Sequence, residues 1–286
     1  GGDLAATTDA GNGVIDMDQL AVDGSIALVT NGNGAATVVN DAAIEFAAST
    51  VRGALTATAT TGDITDSGTL TITGASIFTT RVGGSNIVLD SSANAFAAAV
   101  TMKADTGGDE TFGNITFVDS AAVKLHSSAG TNGDLFIDAG TDLAVGGNLS
   151  ITATTGNITQ GSEVAVGGTT TLVTSANDAT ITLNDADNAF TGALTITTND
   201  NSGTDADVII DGGTTALIVA ASTIDGDLTL TSGATAGITD SGTVTVGGDL
   251  AATTDAGNGV IDMDTLAVDG SIALVTNGNG AATVVN

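Results

Sequence analysis

Leu228 and Leu230 alternate with Thr229 and Thr231, Ile238 stands alone between short polar stretches, and Val244 and Val246 alternate with Thr243 and Thr245. Each short run puts its apolar residues on one face of an extended strand and threonine on the other. Threonine is β-branched and suits an exposed pleat. The pieces are three to five residues long, and glycine pairs or Asp-Gly and Asn-Gly steps punctuate them, where a positive φ costs little. Three such strands fit between Gly226 and Gly248, which predicts one coil of a parallel β-helix in about 22 residues. An antiparallel sandwich array is the competing fold, because Asn-Gly favours hairpins. Hairpin strands are usually longer than these pieces, and a coil-sized repeat follows naturally when each unit stacks only on its neighbours.

Repetition occurs at three scales. Residues 247–286 repeat residues 1–40 at 39 of 40 positions, differing only at Gln19 and Thr265, an offset of 246 residues. An older offset of 94 carries Gly53–Thr65 onto Gly147–Thr159 and Ile87–Phe96 onto Ile181–Phe190. The smallest unit is a glycine, one residue, then a short apolar strand. It starts at Gly2, Gly24, Gly53, Gly74, Gly133, Gly147, Gly168, Gly226, Gly248 and Gly270, most often 21 or 22 residues apart. These offsets predict an all-β, parallel β-helix of 21–30 residues per coil. It is expected as one continuous solenoid over 1–286, a full repeat (1–246) followed by the start of the next (247–286). Leu55, Ile64, Leu70 and Ile72 are expected inside, with Leu149, Ile158, Val164 and Val166 stacking in the same register.

Composition sharpens this picture. The 286 residues contain no proline, which cannot donate to a β ladder, and no cysteine, so there is no disulfide frame or thiolate metal site. No apolar run approaches the roughly 18 residues of a membrane helix, so no span is expected in this segment. Aromatics are 2%, all of them phenylalanine. Phe96 and Phe190 share a place in the 94-residue repeat, and Phe112, Phe117 and Phe136 cluster; all are expected as stacked core positions.

The pattern Gly-Asp-Leu-Thr-x-Thr followed by Gly-x-Ile-Thr-Asp-Ser-Gly-Thr-x-Thr-Val-Gly-Gly resembles the passenger repeats of giant bacterial surface proteins. Filamentous-haemagglutinin-like and autotransporter-type adhesins are among their relatives. The segments 62–74, 156–168 and 237–248 carry the likeness best. The resemblance implies a right-handed β-helix outside the cell, hence secretion and a surface role; it specifies a fold better than a partner.

Acidic residues number 33 against 4 basic, a net charge of −29. Spread over eleven or twelve coils at roughly 4.8 Å each, this is about one charge per 2 Å, close to duplex DNA. Nucleic acid is therefore excluded as a partner. The charge reads as solubility and repulsion between rods, with divalent cations between neighbouring rods as the sharper alternative. The best candidate for Ca²⁺ lies in Thr197–Gly213, where Asp200, Asp205, Asp207 and Asp211 crowd hard oxygen ligands together. The spacing matches neither the EF-hand loop nor the nonapeptide of calcium-binding β-rolls. Asp16 and Asp18, with their copies Asp262 and Asp264, form a similar pair; acidic turns are the plain reading of both.

An enzyme is not expected. Arg52, Arg81, Lys103 and Lys124 are scattered, His126 has no evident partner, and tyrosine and tryptophan platforms for sugars are missing. Recurrent Thr-x-Thr pairs such as Thr56/Thr58 and Thr243/Thr245 suggest a water-ordering face, but exposed strands carry threonine in any case. Asn114-Ile-Thr, Asn148-Leu-Ser and Asn157-Ile-Thr fit the glycosylation sequon, which in a bacterial chain is mostly chance.

Two functions follow. The first is a structural repeat of a very large secreted or cell-surface protein, forming a stiff extracellular shaft or filament without a required cofactor. The second is an adhesin shaft that itself binds a ligand or Ca²⁺ multivalently. Residues 103–114 and 198–207 are the places that hint at it. The partners expected are neighbouring repeats or further copies stacking end to end, since neither terminus offers a cap for an exposed coil.

Overall fold

The structure, a computed structural model, describes residues 2–9, 11–104, 113–126, 134–137, 144–199, 205–255 and 257–286. Among them every regular element is a β-strand, and the strands stack in parallel on the coil before, making an all-β parallel β-solenoid. The chain divides into two compact units, one of Gly1–Ala121 and His126–Gly147 and the other of Ala122–Leu125 and Asn148–Asn286.

In both units a coil has two unlike halves. One half is a wide, straight strand of four or five residues, such as Leu55–Ala59. The other is a bent pair of shorter strands, such as Ile64–Asp66 and Leu70–Ile72. Wide strands stack in register on wide strands: Ala36–Asn40, Leu55–Ala59 and Ser76–Thr80 form one ladder, pairing Val38 with Ala57 and Ala57 with Phe78. Bent pairs stack on bent pairs, as Ile44 on Ile64 and Ser49 on Leu70. Strict alternation sends every second side chain inward. Leu55, Ile64 and Leu70 are fully buried and Ile72 is 1% exposed, and their counterparts Leu149, Ile158, Val164 and Val166 are equally enclosed. Each such side chain contributes about 1.5–3 kcal/mol of apolar burial.

The bend has its own chemistry. Its corner leaves an amide without a ladder partner, and a buried asparagine from the next coil meets it. Asn94 Oδ1 accepts from Leu70 N at 2.8 Å, and Asn188 Oδ1 accepts from Val164 N at 2.7 Å.

The regular glycine marks a column rather than only a turn. Gly53 N donates to Gly34 O and Gly74 N to Gly53 O, and in the second unit Gly248 N donates to Gly226 O. A Cβ on Gly53 would stand 2.6 Å from the Gly34 carbonyl carbon, so the backbone of one coil occupies the space a side chain would need.

The core differs in content along the chain. In the first unit four phenylalanines form a continuous stack. Phe46 and Phe78, then Phe78 and Phe96, meet edge to face at 6.2 Å, and Phe96 and Phe117 lie tilted at 5.2 Å. Phe190, fully buried, takes the Phe96 position in the second unit, as the offset of 94 required. Phe112 lies outside the described residues, as does the side chain of Phe136.

At three points the alternation slips. Among the described residues, two wide strands follow one another with no bent pair between them: Ser25–Val29 then Ala36–Asn40, Val100–Lys103 then Ile115–Asp119, and Leu194–Thr197 then Val208–Asp211. Past each slip a wide strand stacks on a bent one. Ala36–Asn40 lies on Ile15–Leu20 with a register shift between Met17 and Leu20. Ile115 pairs with Ile87, and Val208 with Ile181. The complementary mismatch sets the bent pair Ile44–Phe46 and Ser49–Val51 on the wide strand Ser25–Val29, with Ile26 opposite Phe46 and Val29 opposite Thr50. At each slip, then, the wide-strand ladder and the bent-pair ladder exchange sides.

Candidate functional site

The polar side chains most organised in this molecule are those that join one coil to the next. At the first exchange, the bent pair curves away from the middle of the wide strand below it and strands the amide of Leu28. Ser49 fills the gap: its Oγ accepts from Leu28 N at 3.0 Å and donates to Ala47 O at 2.8 Å. At the exchange in the second unit Ser222 does the same, accepting from Ile196 N at 3.0 Å and donating to Ala220 O at 2.8 Å. Thr30 Oγ1 accepts from Arg52 N at 2.9 Å, and Thr198 Oγ1 from Asp225 N at 3.0 Å. On the other side Asn40 closes the bend beneath it, exchanging bonds with Val22 N and Val22 O. Asp119 holds the same place at the next exchange, receiving Phe96 N at 3.3 Å.

Aspartates and asparagines form a second system at the corner before each wide strand. Asp207 Oδ1 accepts from Asp227 N, Asp227 Oδ1 from Asp249 N, and Asp249 Oδ1 from Ser271 N, at 2.8, 2.7 and 2.6 Å. Asp3 serves Ser25 N and Asn148 serves Thr169 N in the same way. These carboxylates are exposed or half-buried, so they hold the corner while keeping their charge in water. A third corner uses Asp66, which takes Asp90 N, Ser91 N and Asn94 Nδ2. Asp240 takes Asp264 N, Thr265 N and Thr265 Oγ1.

The proposed calcium ligands fall into this scheme. Asp200 lies outside the described residues. Asp205 is exposed and its carbonyl accepts from Asp207 N; Asp207 is the first member of the aspartate column. Asp211 ends the strand Val208–Asp211 and accepts from Gly213 N at 2.8 Å. Among the described residues no group of three or more acidic or histidine side chains gathers as a metal would need. Asp16 sits opposite Thr37, and Asp262 lies between Thr239 and Thr283 in its ladder. The His126 side chain lies outside the described residues, as do most of residues 103–114 and 200–204 within 198–207.

Three aspartates have their carboxyls pushed above the ordinary range. Burial does this to Asp66, Asp119 and Asp211, and donated hydrogen bonds offset part of it. Asp211 is raised further by Asp255 and Asp185 nearby. All three lie where coils meet, and Asp119 is a buried member of an exchange.

Sequence reasoning passed over Ser49, Ser222, Thr30, Thr198 and Asn40. The signal was present as Ala-Ala-Ser-Thr, which occurs at 47–50 and again at 220–223.

A family described as repeats of unknown function (DUF5649) matches residues 33–103 and 112–197, together more than half of the chain. No curated protein and no solved structure matches.

Proposed function

This chain belongs to the DUF5649 family of repeats, and from that premise we propose that it is a structural repeat of a very large secreted, cell-surface protein. Its role is to provide length and stiffness in an extracellular shaft of the kind carried by filamentous-haemagglutinin-like or autotransporter-type adhesins. One observation carries the reading: the side chains a binding site would use are engaged in joining coils. The column Asp207, Asp227, Asp249 and the patches at Ser49 and Ser222 all end on backbone groups of an adjacent coil. A net charge of −29 supports the same role, since it keeps neighbouring shafts apart in water. Neighbouring repeats of the same chain are the partners.

The test is immunogold labelling of intact and permeabilised source cells with antibody against residues 1–286. Label on intact cells, along filaments or at a distance from the envelope, is the expected result. Label that appears only after permeabilisation rejects the surface role.

A further inference from the structure

Two of the pieces that the exchanges mark off share one order of strands. Between the first and second lie seven half-coils. They run through Ala36–Asn40, the bent pair Ile44–Phe46 and Ser49–Val51, Leu55–Ala59, the pair Ile64–Asp66 and Leu70–Ile72, Ser76–Thr80, the pair Ile87–Leu89 and Ala95–Phe96, and Val100–Lys103. After the third exchange the same order runs from Val208–Asp211 to Ile272–Thr276, with Ala282–Val284 beginning the next stretch. The family matches coincide with these bounds. The first ends on Lys103 and the second on Thr197, each the last residue of a wide strand before an exchange.

We propose that the repeating unit of this family is a block of three and a half coils, and that residues 208–276 are a third, diverged block outside the family match. Within each unit, the wide strands before and after an exchange then lie on opposite sides of the solenoid. The odd number of half-coils is the cause. A block of three or four whole coils would restore the side on which it began; three and a half coils reverse it. The reversal is built in at the first and third exchanges, where the same hydroxyl devices stand, Ser49 with Thr30 and Ser222 with Thr198; at the middle exchange Asp134–Ile137 pairs with Val100–Lys103 residue for residue. An accidental slip would leave the amides of Leu28 and Ile196 unpaired in the interior.

The two sides of a block differ chemically, so the reversal has a consequence. The wide strands Leu55–Ala59, Ser76–Thr80, Leu228–Ser232 and Leu250–Thr254 contain no charged residue, and the charges of Val100–Lys103, Ile115–Asp119 and Val208–Asp211 sit at the last residue, beside an exchange. The bent strands carry Glu45, Asp66, Asp240 and Asp262. In a chain of net charge −29, the middle of the wide-strand face is poor in carboxylates. Ile77, Ile209 and Val275 are exposed on it. Within each unit the exchange moves this face from one side to the other.

Spin-label distances on the full chain test this within each unit. Thr182 and Thr229 are joined through Ile209 in one ladder that crosses the exchange. Thr171 and Thr195 belong to the opposite ladder, which continues from Thr197 to Thr223. Cysteine pairs at Thr182/Thr229 and Thr171/Thr229 are separated by the same two coils, about 10 Å along the axis. The first pair should give the short distance. The second should be longer by at least the roughly 10 Å between facing sheets. Ser25/Thr65 and Ser25/Thr56 repeat the comparison in the first unit, where Glu45 links the first pair. Equal distances, or a shorter distance for Thr171/Thr229 or Ser25/Thr56, would overturn the reversal.

Discussion

Blocks 36–103 and 208–276 are built on one frame and filled differently. Ala57 and Phe78 are successive inward residues of one wide-strand ladder; Leu230 and Ala252 hold the same two places in the other block. Small then large becomes large then small. Phe46 likewise gives way to Val219, and block 208–276 contains no phenylalanine at all. What stays constant is the polar frame: Ser49 and Ser222, Thr30 and Thr198, Gly53 and Gly226. Close packing can be met by many combinations of apolar volume. An amide stranded in the interior can be met only by an acceptor at one place. The frame therefore fixes the coil, and the core adapts to it.

The sharpest way to break this comparison is to move volume without moving the frame. Phe78→Ala should cost about 3–5 kcal/mol, because it empties the centre of the phenylalanine stack. Ala57→Leu alone should overpack, by about 1–3 kcal/mol. The double variant gives block 36–103 the Leu-Ala order of the other block, and should recover a measurable part of the sum in urea denaturation. Strict additivity would mean that the two sites do not share one space.

Removing the frame should act equally in both blocks. Ser49→Ala and Ser222→Ala each orphan one buried amide, and each should lower stability by about 1–3 kcal/mol. Ser91→Ala, in a turn, serves as the control and should stay within about 0.5 kcal/mol. If only one of the two serines matters, the exchanges are not equivalent.

A smaller effect has the opposite sign. Ser76 Oγ and Thr170 Oγ1 are buried without a hydrogen-bond partner, at positions where neighbouring wide strands place Leu55 and Leu149. Thr170→Val removes the unpaired hydroxyl at constant shape, and should stabilise by about 1 kcal/mol in thermal melts.

Last comes pH. Asp66, Asp119 and Asp211 have carboxyls raised by burial, so the folded chain binds protons more readily than the unfolded one. Stability should therefore increase as pH is lowered from 7 toward the ordinary aspartate value near 3.8, and gain nothing more from these groups below it. Asp119→Asn keeps the acceptor for Phe96 N, as Asn40 does for Val22 N, and removes the buried charge. It should raise Tm at pH 7 and flatten this dependence. A stability that falls on mild acidification would contradict the sign.

Much of this was legible in the chain. Alternation of Leu228 and Leu230 with threonine gives the faces, and the offsets of 94 and 246 give the stacking. The exchanges were not legible, for a physical reason. Sequence offsets count residues, whereas the side of a solenoid is set by the parity of half-coils, and nothing in a residue count records parity. Asn40 and Ser49 also look like ordinary turn residues until the strand beneath them is known. The acidic run Asp205–Asp211 reads as a ligand loop for a similar reason. Half of it is strand, and the carboxylates of Asp207 and Asp211 accept backbone amides.

The proposed role, length supplied by regular stacking of coils, has a direct geometric consequence. Arrays of one, two and four copies of the 246-residue repeat, imaged by electron microscopy, test it most directly. Three blocks of three and a half coils at roughly 4.8 Å per coil predict that each added copy lengthens the particle by about 50 Å at constant width. Particles that widen or collapse as copies are added, with little gain in length, would contradict it.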